Sequence, residues 1–296
     1  MSPAEPNGPQ KKRKRNSWIA YAFVGPFLLF YVLFLIYPAL RVVYLSLTNS
    51  DIAGQGHFTG LANYHELIFD QEFWVAVGHT VYFVVLTVVP NTAVGFFLAL
   101  LVLRLKRLRL PILSALFLPY VLPVSVVTNC IALWMLDANF GIVNNLLGTN
   151  TAWFGDAGFA MPGVALVTIW WTVGFNMLLF IAGLQNIPVE YYEAAALDGA
   201  NGFQRFLFVT CPLIWPVASL VLILQLIAQF KIFDQVYLLT FGGPSNATTV
   251  VLLYMYREAF QQGRGGYASA VAMALVVIIV VVSLVQSRLL RVKTIR

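Results

Sequence analysis

Six long apolar runs separated by shorter polar segments set the pattern of the chain, over approximately 18–44, 73–103, 110–136, 161–185, 214–239 and 267–286. Each is at least as long as the about 20 residues a helix needs to cross hydrocarbon, where no water satisfies backbone amides. The pattern predicts an all-α polytopic membrane protein: a tail over 1–17, a six-helix membrane unit over 18–287, and a short tail over 288–296.

The loop over 188–212, between the fourth and fifth runs, has a structure of its own. Pro188 suits the first turn of a helix, Glu190 and Glu193 complement the positive N-terminal dipole, and Gly199 suits a left-handed cap. A helix is expected over about 188–198. Asn201 with Gln204 three positions on reads as a capping box that starts a second helix, leading through Cys211 and Pro212 into the fifth run. A helix lying in the lipid interface favours a basic polar face. This one carries Glu190, Glu193 and Asp198 beside the small run Ala194, Ala195 and Ala196, which suits docking against a protein.

Composition agrees: 60% hydrophobic, 10% charged and a mean hydropathy of +0.80 give more apolar side chain than one soluble core could enclose. The net charge of +6 and the run Lys11, Lys12, Arg13, Lys14, Arg15 resemble a polyanion-binding patch, but the basic residues sort by side. That run, Arg104, Lys106, Arg107, Arg109, Arg205, Arg288, Arg291, Lys293 and Arg296 fall on one side; Asp51, Glu66, Asp70, Glu72, Asp137, Asp156 and Glu258 fall on the other, against only Arg257 and Arg264. The positive-inside rule then places both termini in the cytoplasm, as an even number of spans requires, and no nucleic-acid partner is expected. The first run is too long for a signal peptide, and Tyr37-Pro38-Ala39 is a poor cleavage site, so it should remain as an anchor.

Reactive chemistry is sparse. Cys130 and Cys211 lack paired spacing, and His57, His65 and His79 lack a metal-ligand spacing, so neither a metal nor a cofactor is expected. His79 lies in a span, as a hydrogen-bonded interior residue or a proton relay. No lysine follows a glycine, which excludes a phosphate-cradling G-x-x-x-x-G-K-[ST] loop, and no catalytic constellation stands out: the chain should not be an enzyme. Polar side chains in lipid are expensive, which draws attention to Asn176 in the fourth run and to Gln225, Gln229, Lys231, Asp234 and Gln235 in the fifth. Gln225 and Gln229, one turn apart, could meet solute hydroxyls or glue helices together; Lys231 and Asp234 are expected to pair with each other. Trp134, Trp153, Trp170, Trp171 and Trp215 could stack on sugar rings or form interfacial belts.

Glu193-Ala194-Ala195, Asp198-Gly199-Ala200 and Pro212 resemble the E-A-A-x-x-x-G loop of the permease subunits of binding-protein-dependent ABC importers. Val209 and Cys211 stand where the family pattern I-x-L-P has Ile and Leu. The likeness runs along nearly the whole chain after the basic tail, through Tyr37-Pro38, Gly60-Leu61-Ala62-Asn63-Tyr64, Leu118-Pro119, Gly183-Leu184-Gln185-Asn186-Ile187-Pro188 and Gly242-Gly243-Pro244, and is similar to the maltose and glycerol-3-phosphate permeases. At His79-Thr80 the family more often has Asn-Thr.

The resemblance implies a type I ABC importer permease in a bacterial or archaeal inner membrane, moving a small carbohydrate by alternating access. Its implied partners are a second, different permease, ATP-binding cassette ATPase subunits, an extracytoplasmic solute-binding protein and membrane lipid. Glu193, Ala194, Ala195, Asp198, Gly199 and Pro212 would belong to the ATPase-coupling loop, while loops around Asn63, Asn144 and Gly242, Gly243 and Pro244 would face the binding protein. Two rivals are an ion-coupled secondary transporter, for which only Asp234 is a mid-membrane carboxylate candidate, and a membrane-embedded transferase.

Overall fold

A computed structural model describes residues 17–105 and 107–290; the basic run Lys11 to Arg15, Lys106 and the C-terminal residues 291–296 lie outside it. The described residues are helical apart from loops and one isolated bridge, Thr48 with Phe58. Twelve helices position the sites. They are α1 (Phe23–Leu45), α2 (Ala62–Phe69), α3 (Gln71–Arg104), α4 (Arg109–Val121), α5 (Val124–Leu136), α6 (Ile142–Leu147), α7 (Ala157–Gln185), α8 (Val189–Leu197), α9 (Gly202–Phe230), α10 (Asp234–Leu239), α11 (Val251–Tyr256) and α12 (Gly265–Leu289).

Five of these, α1, α3, α7, α9 and α12, are long and apolar enough to cross a membrane alone; α4 and α5 supply a sixth crossing only as a bent pair. The expected straight helix over 110–136 is therefore corrected: its halves meet at 95°. Pro123 forces the break, because a residue before proline is pushed out of the helical region, and Leu122 is extended at ψ 140°.

The fifth expected run, 214–239, is also corrected. The helix begins earlier, at Gly202, and ends at Phe230, after which Lys231 and Phe233 leave helical geometry and α10 starts afresh at Asp234. At its other end the loop helix and the span fuse: a π-helical turn over Phe206–Thr210 carries the chain into Cys211 and Pro212. Widening the turn there is one way to accommodate a residue that has no amide to donate.

The scaffold is α3, α7 and α9. Near one end, Ala99 and Val102 pack with Met177, Phe180, Ile181, Ile214 and Val221; near the other, Phe73, Ala76 and Val84 meet Phe230, Tyr254, Tyr267 and Val271. Lipid tails are as apolar as leucine, so close packing and interhelical hydrogen bonds select these partners, not transfer out of water. The outward stripe of α12, including Val277, Val280, Val281 and Leu284, stays exposed, as a lipid-facing surface should. Because α3 and α7 run parallel, Arg104, the α8 loop and Arg288 lie at one end, while α2, α10 and α11 cap the other.

Candidate functional site

Three sites follow from this arrangement, one at each end and one between. At the basic end, α8 begins after Pro188 and closes at Asp198. Its C-terminus is a complete glycine cap: Gly199 takes φ +81°, its N–H donates to the Ala196 carbonyl at 3.1 Å, and the Ala200 N–H donates to the Ala195 carbonyl at 2.9 Å. Only glycine holds that φ without steric cost. Two residues on, Asn201 and Gln204 exchange the reciprocal bonds of a capping box, at 2.7 and 2.9 Å, and launch α9. Little else ties α8 down; the Tyr192 hydroxyl meets Thr210 Oγ1 at 3.1 Å. Glu193, Ala194 and Asp198 are exposed, and Ala195 is half-buried. Pro212 sits one helical segment away, in the first turn after the π-helical segment. The sequence reading missed Leu197, which is 90% exposed, and Phe203, 71% exposed. They flank the loop, Leu197 as the last residue of α8 and Phe203 in the first turn of α9.

Mid-span, the amides of three helices join. Gln225 Nε2 donates to Asn176 Oδ1 at 2.6 Å, Gln229 Nε2 donates to Gln225 Oε1 at 3.0 Å, and Asn91 Nδ2 donates to Thr172 Oγ1 at 2.8 Å and, more loosely, to Gln225 Oε1 at 3.4 Å. All four amides are buried, and Asn91 Oδ1 and Asn176 Nδ2 remain without a partner. The sequence reading found Asn176, Gln225 and Gln229 but not Asn91, although the polar pair Asn91 and Thr92 after Pro90 interrupts a mostly apolar run.

Lys231 and Asp234 do not join this ladder. They were expected to pair; both are exposed, and the ion pairs among the described residues are those of Arg264 with Glu66 and Glu258. The pairing assumed one continuous helix, and the break after Phe230 removes the i, i+3 geometry it needed.

At the opposite end, Asp70 organises the cap. Its Oδ1 accepts the Glu72 and Phe73 amides at 2.9 and 3.2 Å to start α3, and its Oδ2 accepts the hydroxyls of Tyr254 and Tyr267 from α11 and α12. Burial pushes this carboxyl up, but the tyrosine hydroxyls and the two amides outweigh it and hold it below the usual aspartate value. Arg264 bridges Glu66 at 2.5 Å and Glu258 at 3.1 Å and lies over the Tyr267 ring at 4.3 Å. His79 is half-buried, its Nδ1–H donating to the Thr249 carbonyl at 3.1 Å.

Nearby, the loop between α10 and α11 carries Gly242, Gly243 and Pro244; Gly242 is buried, while Phe241, Ser245 and Asn246 are exposed. Asn63 and Asn144, singled out with this loop, turn inward. Asn63 Nδ2 donates to the Ser46 and Thr48 carbonyls, and Asn144 Nδ2 to those of Asp137, Ala138 and Thr151. They shape their loops and do not present amides outward.

Residues 91–292, from the middle of α3 to beyond the end of α12, match the family described as binding-protein-dependent transport system inner membrane component. The chain belongs to this family. Over 285 residues it is 35% identical to a probable ABC transporter permease protein, YurN, of Bacillus subtilis, covering 93% of this chain and 96% of that one. It is 31% identical to the sulfoquinovosyl glycerol transport system permease SmoG of Agrobacterium fabrum, with 93% and 91% covered, and 31% identical to the trehalose/maltose transport system permease MalF of Thermococcus litoralis, with 91% and 92% covered. A solved bacterial ABC transporter that imports the acidic polysaccharide alginate shares the fold, with a TM-score of 0.81 at 23% identity over 94% of this chain and 96% of that chain. The chain is thus a multi-pass ABC importer permease, of the type I architecture expected from the sequence.

Proposed function

We propose that this permease moves a sugar or sugar-like solute, delivered by an extracytoplasmic binding protein, and that the Glu193 to Gly199 segment couples it to a partner ATPase. The observation that carries the coupling role is α8 itself: nine residues closed by a full glycine cap, exposed along most of their length, ending in a bare Leu197. A helix so lightly attached to its own spans is a lever for something outside them. The acidic Glu190, Glu193 and Asp198 offer that partner charge as well as shape.

The sugar cargo is supported by the relatives, whose names specify sulfoquinovosyl glycerol, arabinooligosaccharides and trehalose or maltose. Inside the protein, the ladder of Asn91, Asn176, Gln225 and Gln229 is suited to hydroxyl recognition, with one orphan acceptor and one orphan donor. It also joins three spans. Lys231 and Asp234, free of each other, stand at the exit of α9 as pathway-mouth residues. The ion-coupled reading loses its one candidate, since Asp234 is exposed at a helix end and not buried at mid-membrane.

The orientation that fits places the α8 end in the cytoplasm with Arg104, Arg205 and Arg288, both termini on that side, and the membrane unit 18–287 between two basic tails. A second, different permease completes the pathway. Reconstitution of this chain with its neighbouring transporter subunits and binding protein should give ATP-driven uptake of a sugar. Uptake that persists without ATPase, driven by an ion gradient, would overturn the proposal.

A further inference from the structure

The loop from Thr240 to Val250 is an improbable shape for a free chain. Phe241, Ser245 and Asn246 are held at φ 51°, 49° and 60°, in the left-handed region that side chains other than glycine rarely adopt, with Gly242 at φ 87° between them. Bonds within the loop, such as Thr248 N–H to the Gly242 carbonyl and Thr248 Oγ1–H to the Gly243 carbonyl, hold part of this conformation, and one side chain from outside reaches both ends of the left-handed stretch from Phe241 to Asn246. Arg257 directly follows α11, one turn after Leu253, and together with Thr249, which precedes the helix, these two side chains face the loop at Gly242. Arg257 Nη2 donates to the Phe241 carbonyl at 2.6 Å and its Nη1 to Asn246 Oδ1 at 2.9 Å, while the guanidinium lies 5.7 Å from the centre of the Phe241 ring. The planar fork thus ties Phe241 to Asn246.

Gly242 makes room for it. A Cβ there would stand 2.6 Å from Arg257 Nη2, 2.7 Å from Thr249 Oγ1 and 2.9 Å from Leu253 Cδ2, the same side chains. The buttress behind them is firm. Thr249 is tied to α3 through His79, and the Val251 amide donates to Thr80 Oγ1 at 3.0 Å.

We infer that Arg257 is a positioning residue for recognition of the binding protein: it locks the Gly-Gly-Pro loop so that Phe241, Ser245 and Asn246 project as one preformed surface. This rests on the proposed delivery by a binding protein and on the loop facing it, as the family resemblance implies. Docking onto an already rigid loop avoids the ordering cost that a floppy one would incur at each encounter, so the device acts on affinity for the partner and not on the turnover that follows. Charge alone is not the point. A lysine keeps the charge but cannot place two donors in one plane.

The test is ATP hydrolysis by the complete transporter in vesicles, titrated with its purified, sugar-loaded binding protein. Arg257→Ala is expected to raise the half-saturating concentration about tenfold, a loss of preorganisation on the scale of one or two ordered side chains, while the rate at saturation stays near wild type. Arg257→Lys should behave like Arg257→Ala. Gly242→Ala should shift half-saturation in the same direction, because a Cβ there displaces Arg257 Nη2 and also strains a backbone held at φ 87°, and it carries the test if Arg257→Ala does not assemble. An unchanged half-saturating concentration in Arg257→Ala, or in Gly242→Ala where that variant carries the test, would overturn the inference, as would full recovery by Arg257→Lys. A wild-type transporter that the binding protein does not stimulate at all would instead refute the proposed function on which this rests.

Discussion

Replacing Gly199 by valine isolates the coupling loop from everything else. Nothing lies within 4 Å of a Cβ at this position, so the whole effect is carried by the backbone. Holding an L-residue at φ +81° costs roughly 1–2 kcal/mol, and more for a β-branched one. If the chain escapes by abandoning the cap, it forfeits the Gly199 and Ala200 hydrogen bonds, at about 1 kcal/mol each. Either route costs about 2 kcal/mol, a roughly 30-fold fall in the population of properly closed helix. A nine-residue helix has no stability of its own to absorb this. Uptake and ATP hydrolysis should therefore be measured side by side in reconstituted vesicles. Gly199→Val should lose uptake, through release of the ATPase or through futile hydrolysis, with the spans intact. Gly199→Asn, which tolerates the left-handed region, should keep most of it. Fully coupled uptake in Gly199→Val would refute the reasoning.

Glu193→Lys, which sets a positive charge near the positive end of the α8 dipole, should also uncouple hydrolysis from transport, read in the same assay. Gln225→Leu and Gln229→Leu should lower uptake at least tenfold while the complex still purifies intact and hydrolyses ATP at its basal rate; dissociation during purification would assign those amides to helix adhesion alone. Asp70 is depressed in the folded protein, so its contribution to stability is present above the ordinary aspartate value and lost only as pH falls through the lower folded value. Thermal unfolding of the wild type should owe no pH dependence to Asp70 between pH 7 and about pH 5, and Asp70→Asn should lower the midpoint across that window. Single cysteines at Gln55, Asn150 and Gln261 should react with an impermeant reagent outside cells, and ones at Lys106 and Ala200 should not.

Much of this architecture is legible in the chain because membrane burial is written in run length alone. The capping logic of the loop is equally legible: Pro188, Gly199, Asn201 and Gln204 each act within a few residues of themselves, and each takes the position its chemistry favours. What stays hidden depends on distant partners or on breaks that hydropathy does not register. Pro123 bends an apolar run without interrupting its apolarity, and Lys231 looked like a helix neighbour of Asp234 until the chain turned between them. Asn91 reads as an ordinary polar residue beside a proline, and its role emerges only when Thr172 and Gln225 arrive from two other spans. Arg257 gave no signal beyond being a rare cation among outer carboxylates, since its partners, Phe241 and Asn246, are backbone and amide groups with no charge to announce them.

The central claim, that α8 docks a separate ATPase, meets its most direct test at Leu197, the most exposed apolar side chain of the loop. In a complex otherwise free of reactive cysteines on this permease, Leu197→Cys should form a short-linker cross-link to the ATP-binding subunit in sealed vesicles, and the yield should change when ATP is bound. A cysteine at that position that cross-links to no ATPase, or that an impermeant reagent labels from outside the cell, would contradict the account.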